Sequence, residues 1–153
     1  ERMELYHNAV LALLDVVGDN CLALHWMRSG VIVDPRTYRT SKDPGERHDP
    51  IYPAVNVRLF NVRNSESGNE HVMDTLGMTA FALRDLQIIF RTMEPGRIAG
   101  FLNGMAHYLY DHGDVVGDGH TVQGITDVRW RCRYAMSLAG PEREVLDINP
   151  GRP

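Results

Sequence analysis

The chain has 153 residues, of which 43% are hydrophobic and 24% charged, and its formal net charge is −4. These values are typical of a globular protein and exclude a disordered or fibrous chain. The acidic balance gives no general attraction to nucleic acid or to an anionic membrane, and no apolar run approaches the roughly 20 residues that span a bilayer. We therefore expect one soluble domain over residues 1–153, with neither nucleic acid nor membrane as a partner.

Two cysteines, Cys21 and Cys132, lie in apolar segments, where a reduced cysteine behaves as a small buried hydrophobe. This usage favours a cytoplasmic location, although the two cysteines could also pair in an oxidising compartment. The chain begins ERMELYHNAV rather than with methionine, so we also consider that it is the C-terminal part of a longer chain.

The first third of the chain predicts a helix and a hairpin. Met3, Tyr6, Val10, Leu13, Leu14 and Val17 recur at helical spacing, and Gly18 follows where a helix would stop. CLALHWMRSGVIVD then predicts two short strands about a turn at Ser29 and Gly30. Residues 34–53 hold four prolines and many charges with little periodicity, which predicts a long surface loop.

Two strands and a short helix are predicted in the middle of the chain. AVNVRLFNV and HVMDTLGMTAFAL read as strands of a hairpin, with NSESGN as the turn and Gly77 as the position of a bulge or of a close backbone approach. RDLQIIFRTM is assigned a short helix, although its apolar run is brief.

The strongest helix signal lies between Arg97 and Tyr110, because Ile98, Leu102 and Leu109 share one stripe with Phe101 and Met105. Pro95 suits the first helical turn, and Gly113 suits the stop. DVV, HTVQGI, VRWRCRY and REVLDI then predict three or four closing strands. The resulting fold class is α+β, a mainly antiparallel sheet with two principal helices packed on it.

Metal-ligand residue types are dense between Tyr110 and Gly124, in YDHGDVVGDGHTVQG. The set that a metal or acid/base site would recruit is Asp111, His112, Asp114, Asp118 and His120. The same residue types close a helix and build a tight hairpin turn, with Gly117, Asp118 and Gly119 supplying positive dihedral angles. No metal-binding motif elsewhere supplies further ligands, so we interpret the segment as a turn and predict no metal and no cofactor.

A second candidate site is the strand VRWRCRY. Arg129, Arg131 and Arg133 alternate with apolar residues and therefore point to one face, where their guanidinium groups could grip an acidic partner. The alternative is ordinary pairing with the acids of a neighbouring strand, for which Glu142, Glu144 and Asp147 are available.

Three segments of the later chain resemble the uncharacterised bacterial family called domain of unknown function 4261. They are HVMDTLGMTAFALRDLQIIF, YLYDHGDVVGDGHTVQG and GPEREVLDINPG, and the most specific element is DTLG at residues 74–77. The resemblance covers roughly Val55 to Gly151. It implies an α+β domain and brings no catalytic residues, and some similar small acidic bacterial domains act as immunity proteins that block a toxin.

We therefore expect a non-enzymatic protein-interaction domain, an immunity or inhibitor protein of a bacterial cytoplasm that binds a cognate toxin. The alternative is a metal-assisted hydrolase that uses the cluster of residues 111–120. A binder of nucleic acid or a phospho-ligand through the three arginines is disfavoured by the acidic balance.

Overall fold

The computed structural model describes residues 2–40, 49, 51–62 and 70–151. The chain divides into two compact units, Glu1–Asn56 (unit 1) and Val57–Pro153 (unit 2). This division into units does not test the prediction of one domain over residues 1–153, which stays a prediction. Within the described residues, no helix combines the length and the apolar character needed to cross a membrane.

Unit 1 contains two helices and a two-stranded hairpin. These elements are α1 (Arg2–Val17), β1 (Leu24–Trp26), β2 (Val31–Val33) and α2 (Pro35–Thr40), with a 3₁₀ turn over Gly18–Asn20. β1 and β2 pair antiparallel, with Trp26 opposite Val31, so the predicted hairpin is confirmed. Leu14, Val33 and Tyr38 form the buried cluster of this unit.

The helix predicted at the start of the chain is confirmed as α1, but its buried stripe differs from the predicted one. His7 and Leu14 are buried, whereas Tyr6, Leu13 and Val17 are exposed. The buried stripe accepts a histidine because the His7 ring Nδ1 is hydrogen-bonded to the Tyr38 hydroxyl. Apolar periodicity assigns the buried position to Tyr6, but His7 occupies it, because a polar side chain is tolerated in the interior when it is hydrogen-bonded.

The surface loop predicted over residues 34–53 is wrong at its beginning, because Pro35–Thr40 forms α2. Proline is favourable at the first position of a helix, and the Asp34 carboxylate accepts a hydrogen bond from the Thr37 backbone N–H at 2.8 Å. The proline therefore marks a helix start rather than a loop. Residues 41–48 and 50 lie outside the described residues, and the loop prediction stays a prediction there.

Unit 2 is built on a six-stranded sheet. The strands are β3 (Asn56–Val62, which starts at the unit boundary), β4 (Glu70–Leu76), β5 (Asp85–Phe90), β6 (Thr121–Gln123), β7 (Arg129–Met136) and β8 (Glu144–Asn149). Their order is β3-β4-β5-β8-β7-β6. β4 with β5, β6 with β7 and β7 with β8 run antiparallel, and β5 with β8 runs parallel. The predicted class, α+β with a mainly antiparallel sheet, is confirmed.

The helix predicted for RDLQIIFRTM is wrong, because this segment forms β5 in the middle of the sheet. Leu86 and Ile88 are fully buried on one side of the strand, and Gln87 is buried on the other. A strand that is covered on both faces reads as a nearly continuous apolar run, which periodicity cannot separate from a short buried helix.

α3 spans Pro95–His112 and confirms the strongest helix prediction. The Glu94 carboxylate caps it by accepting hydrogen bonds from the backbone N–H groups of Gly96 and Arg97, at 2.8 and 2.7 Å. The Phe101 ring lies 4.8 Å from the Trp130 ring, centroid to centroid, so α3 packs on the sheet face that carries Trp130.

Two further details of the sheet differ from the predictions. β4 ends at Leu76, and Gly77 starts a 3₁₀ turn over Met78–Phe81 instead of forming a bulge. The segment DVV at residues 114–116 forms no strand. The predicted turn NSESGN falls mostly outside the described residues, although β3 and β4 are neighbours as the hairpin requires.

Candidate functional site

A buried network of ion pairs begins in the segment DTLG, at residues 74–77. The Asp74 side chain is fully buried and accepts hydrogen bonds from two arginines. Arg58 reaches it through Nε and Nη2, at 2.9 and 2.6 Å, and Arg143 reaches it through Nη2 at 2.8 Å. A buried carboxylate that bridges two guanidinium groups is compensated both in charge and in hydrogen bonding.

The rest of DTLG fixes the turn that follows β4. The Thr75 hydroxyl accepts a hydrogen bond from the Leu86 backbone N–H at 2.8 Å and donates one to the Asp85 carboxylate at 3.2 Å. Asp85 also accepts from the Met78 backbone N–H at 3.0 Å. Gly77 has a φ of 122°, a conformation that side chains disfavour, so glycine is required for the turn.

Arg143 connects this turn to the segment between β7 and β8. Its Nε donates to Asp85 at 2.7 Å, and its Nη2 also donates to the Thr75 carbonyl at 2.8 Å. Its Nη1 donates to the carbonyls of Ala139 and Pro141, at 3.1 and 2.8 Å. One side chain therefore ties residues 139–141 to β4 and β5, and all three of its nitrogens donate.

A second polar chain runs from β5 through β8 to β7. The parallel pairing of β5 and β8 sets Gln87 beside Asp147, and the Gln87 amide donates to the Asp147 carboxylate at 3.1 Å. The other oxygen of Asp147 accepts from Arg133 Nε at 2.9 Å. Gln87 in turn accepts from the Leu138 backbone N–H at 2.8 Å. Arg133 is thereby held by one nitrogen, while its side chain stays 60% exposed.

Arg129, Arg131 and Arg133 are all exposed and alternate with buried Trp130 and Cys132, so the arginine face predicted for β7 has the expected geometry. We call these three residues the arginine face. The Arg129 side chain donates to the Thr121 hydroxyl at 3.5 Å, and the Arg131 side chain has no hydrogen bond or ion pair to any residue that the structure describes.

The alternative of ordinary cross-strand ion pairs accounts for one arginine of the face. Arg133 stands opposite Asp147, but Arg131 stands opposite Thr121 and Asn149, which are uncharged. Of the other predicted acids, Glu144 pairs with Arg84 at 3.5 Å. The strand register therefore leaves two of the three guanidinium groups without a carboxylate partner in the described part of the chain.

An open groove of about 650 Å³ adjoins the arginine face at the carboxyl ends of β5 and β8. Arg133, Asp147 and Asn149 line one part of it, and Ile89 and Trp130 line another. Its other lining residues include Glu70, Phe90, Arg91, Met93, Val128 and Ile148. Arg91 pairs with Glu70 at 3.2 Å, so this groove combines apolar and aromatic surface with two partly exposed arginines.

The cluster of residues 111–120 forms a helix end and a turn. α3 ends at His112, Gly113 follows with a φ of 81°, and Gly119 has a φ of 79°. The positive φ predicted for Gly117 and Asp118 is wrong, and the turn over 117–120 leads into β6 instead of joining two strands. The helix end and the turn are confirmed, and the position of the hairpin is wrong.

The side chains of this cluster bind to different parts of unit 2. His112 is hydrogen-bonded to the Tyr108 carbonyl at 2.8 Å, and Asp114 pairs with Arg84 at 2.8 Å. Asp118 accepts from the Tyr134 backbone N–H at 3.0 Å, and His120 accepts from the Gly117 backbone N–H at 3.3 Å. Among the described residues, no group of three or more His, Cys, Asp or Glu residues is placed to hold a metal ion.

The sequence analysis did not single out Arg58, Asp74, Asp85 or Arg143 as functional residues. A signal was present, because Asp74, Asp85 and Asp147 stand inside apolar strand segments, where a charged residue is rarely buried unless it is paired. The partners of these acids lie far away along the chain and have no local pattern that reveals them.

The geometry defines an α+β domain with an ion-pair network inside and an arginine face outside. Residues 74–149 match the model of a family described as a domain of unknown function (DUF4261). The later half of the chain therefore carries this domain, and the resemblance is confirmed over a shorter span than Val55 to Gly151. No curated protein and no solved structure matches the chain.

The network makes a prediction for stability. Replacing Arg143 by Met removes one charged partner from each of two buried carboxylates, Asp74 and Asp85, and breaking a buried pair in this way costs about 3–5 kcal/mol. We expect urea unfolding, followed by tryptophan fluorescence, to show a loss of this size. Arg84→Met removes partly exposed pairs with Asp114 and Glu144, and should cost at most about 1 kcal/mol. Equal losses in the two variants would contradict the prediction.

A second prediction concerns Cys132. Burial, with a smaller contribution from the Asp147 carboxylate, raises the pKa of this thiol to about 11. At pH 8 only about 0.1% of it would be thiolate, the reactive form. We expect iodoacetamide to label partly exposed Cys21 in the folded protein, and to label Cys132 only after unfolding in urea. Mass spectrometry of the Cys21→Ser variant gives the control, and rapid labelling of that folded variant would refute the prediction.

Proposed function

We propose that this chain is a non-enzymatic protein-interaction domain that binds an acidic surface of a partner protein through the arginine face. The proposal rests on Arg129 and Arg131. Their side chains are exposed, lie next to each other on one face of the strand, and have no carboxylate partner among the described residues. Guanidinium groups grip carboxylates through two parallel hydrogen bonds, and arginine is enriched at the energetic centres of interfaces.

Local charge supports an acidic partner. The arginine face and the groove beside it contribute Arg91, Arg129, Arg131 and Arg133 against Glu70 and Asp147, so four positive charges face two negative ones. The excess of two positive charges stands on a chain whose formal net charge is −4. A local basic surface on an acidic protein attracts and orients an acidic partner, and this attraction raises the rate of association.

The bonding of the buried acids supports a binding role over a catalytic one. Asp74 binds the guanidinium groups of Arg58 and Arg143. Asp85 binds Arg143, the Thr75 hydroxyl and the Met78 backbone N–H, and Asp147 is shared between Gln87 and Arg133. Side chains used in this way hold the sheet and the segment after β7 in place. A general acid or base needs a free path to a substrate proton, and these carboxylates are 2% exposed or less.

The proposed partner is a bacterial toxin, which makes this chain its immunity or inhibitor protein in the cytoplasm. This part of the proposal follows the analogy with small acidic bacterial domains that block toxins. An inhibitor of this kind needs a rigid, charge-complementary surface and no catalytic group of its own. The arginine face stands on the second-last strand of a six-stranded sheet, which supplies such rigidity.

Coexpression with the protein encoded by the adjacent gene tests the proposal. We expect a stoichiometric complex whose Kd rises at least about tenfold in the Arg129→Glu/Arg131→Glu variant, since 1.4 kcal/mol of lost binding corresponds to a factor of ten. The matched control is Arg28→Glu/Arg97→Glu, which makes the same change in net charge at exposed arginines elsewhere. The wild type should also suppress the activity of that neighbour, and the double variant of the face should suppress it less.

Three results would contradict this proposal. The first is the absence of a complex with the neighbouring protein. The second is a complex that both double variants weaken equally, because the effect would then come from net charge alone. The third is copurification of nucleic acid that the Arg129→Glu/Arg131→Glu variant loses, since this would assign the arginine face to a different class of partner.

A further inference from the structure

The six-stranded sheet ends at β3, which has seven residues, whereas the strand at the opposite edge, β6, has three. An edge strand presents a row of unpaired backbone N–H and C=O groups that can pair with another strand. A short edge such as β6 offers few of these groups. The seven-residue edge of β3 offers a much longer template for pairing.

The outer half of β3 is apolar and exposed. Leu59, Phe60 and Val62 are 47%, 38% and 36% exposed in the whole chain. Side chains alternate along a strand, so Leu59 lies on one face of the sheet, and Phe60 and Val62 lie on the other. Exposed apolar side chains on both faces of an edge strand would gain from a neighbouring strand that covers them.

β3 also lacks the features that usually protect an edge. Lysine, proline, bulges and outward charges commonly prevent edge-to-edge pairing, and the sequence NVRLFNV contains neither lysine nor proline. Its one charged residue, Arg58, does not act as an outward charge that prevents pairing, because its guanidinium group donates to Asp74 and to the Gly140 carbonyl. The edge therefore carries no charge that would repel an identical strand.

We propose that β3 is the interface of a homodimer, in which β3 of a second copy pairs antiparallel with it and joins two six-stranded sheets into one. A two-fold axis perpendicular to the sheet produces this arrangement and closes both edges at once. Such an axis passes between one residue of β3 and the same residue of the second copy, so paired residues lie on the same face of the sheet. Centring on Leu59 pairs all seven residues, Asn56 with Val62 through to Val62 with Asn56.

The Leu59-centred register favours a second copy over an unrelated partner. It sets Leu59 against Leu59 and Phe60 against Arg58 of the second copy, and the Arg58 guanidinium already lies 5.1 Å from the Phe60 ring centroid within one chain. An uncharged edge gives no means of selecting an acidic or basic strand, whereas an identical strand matches it in length, polarity and charge. The arginine face lies on β7, near the opposite end of the sheet, and stays free in this dimer.

Analytical ultracentrifugation of the full chain between 1 and 100 µM, concentrations of the order used for weak dimers, tests the proposal. We expect a dimer that Leu59→Lys converts to a monomer, because this change sets two ammonium groups opposite each other. Circular dichroism verifies that the variant is folded. The control is Val128→Lys, which alters an exposed apolar residue away from β3 and should leave the dimer intact.

Disulfide trapping tests the register without adding charge. In a Cys21→Ser background, Leu59→Cys should form a disulfide-linked dimer under mild oxidation, because directly opposite residues of antiparallel strands have Cβ atoms about 4.5–5.5 Å apart. Val128→Cys should not. A monomeric wild type at 100 µM, a dimer that resists Leu59→Lys, or equal trapping at both positions would each overturn the proposal. None of these results bears on the binding of an acidic partner by the arginine face.

Discussion

The buried ion pairs of Asp74 with Arg58 and Arg143 are the constraint on which unit 2 depends. Asp74 has no exposed surface, and a lone carboxylate in such a position would be strongly destabilising. Arg143 compensates it and Asp85 together, and also binds the carbonyls of residues 139–141. The side chains at this point join β3, β4, β5 and the segment before β8, so the sheet order and the network require each other.

The same arrangement shapes the outer surface. Parallel pairing of β5 with β8 sets Gln87 beside Asp147, and Asp147 engages Arg133 alone among the three arginines. The neighbours of Arg131 across the sheet are uncharged, so the register of β7 with β6 and β8 leaves its charge available. The strand order and register therefore determine both which charges pair in the interior and which arginines have no carboxylate partner among the described residues. This contrast is the physical basis for assigning a binding role to the arginine face.

Sequence patterns predicted the parts of the fold that local interactions determine. The α3 stripe with its proline start and glycine stop, the β1 and β2 hairpin and the alternation around Arg131 are examples. The apolar run of β5 predicts a helix as readily as a strand, because burial on both faces removes alternation. Pro35 indicates a loop as readily as a helix start, so α2 has no distinctive sequence signal. The network was not predicted, since Asp74 and Arg143 are separated by 69 positions and no local pattern connects them.

A double-mutant cycle between Asp74 and Arg143 tests the central claim most directly. The free energies of unfolding of the wild type, Asp74→Asn, Arg143→Met and the double variant give the coupling between the two side chains. Residues that share one buried network couple by about 0.5–3 kcal/mol, and the full burial of Asp74 places this pair at about 1.5 kcal/mol or above. A coupling near zero, with losses that simply add, would show that the sheet does not depend on this ion pair.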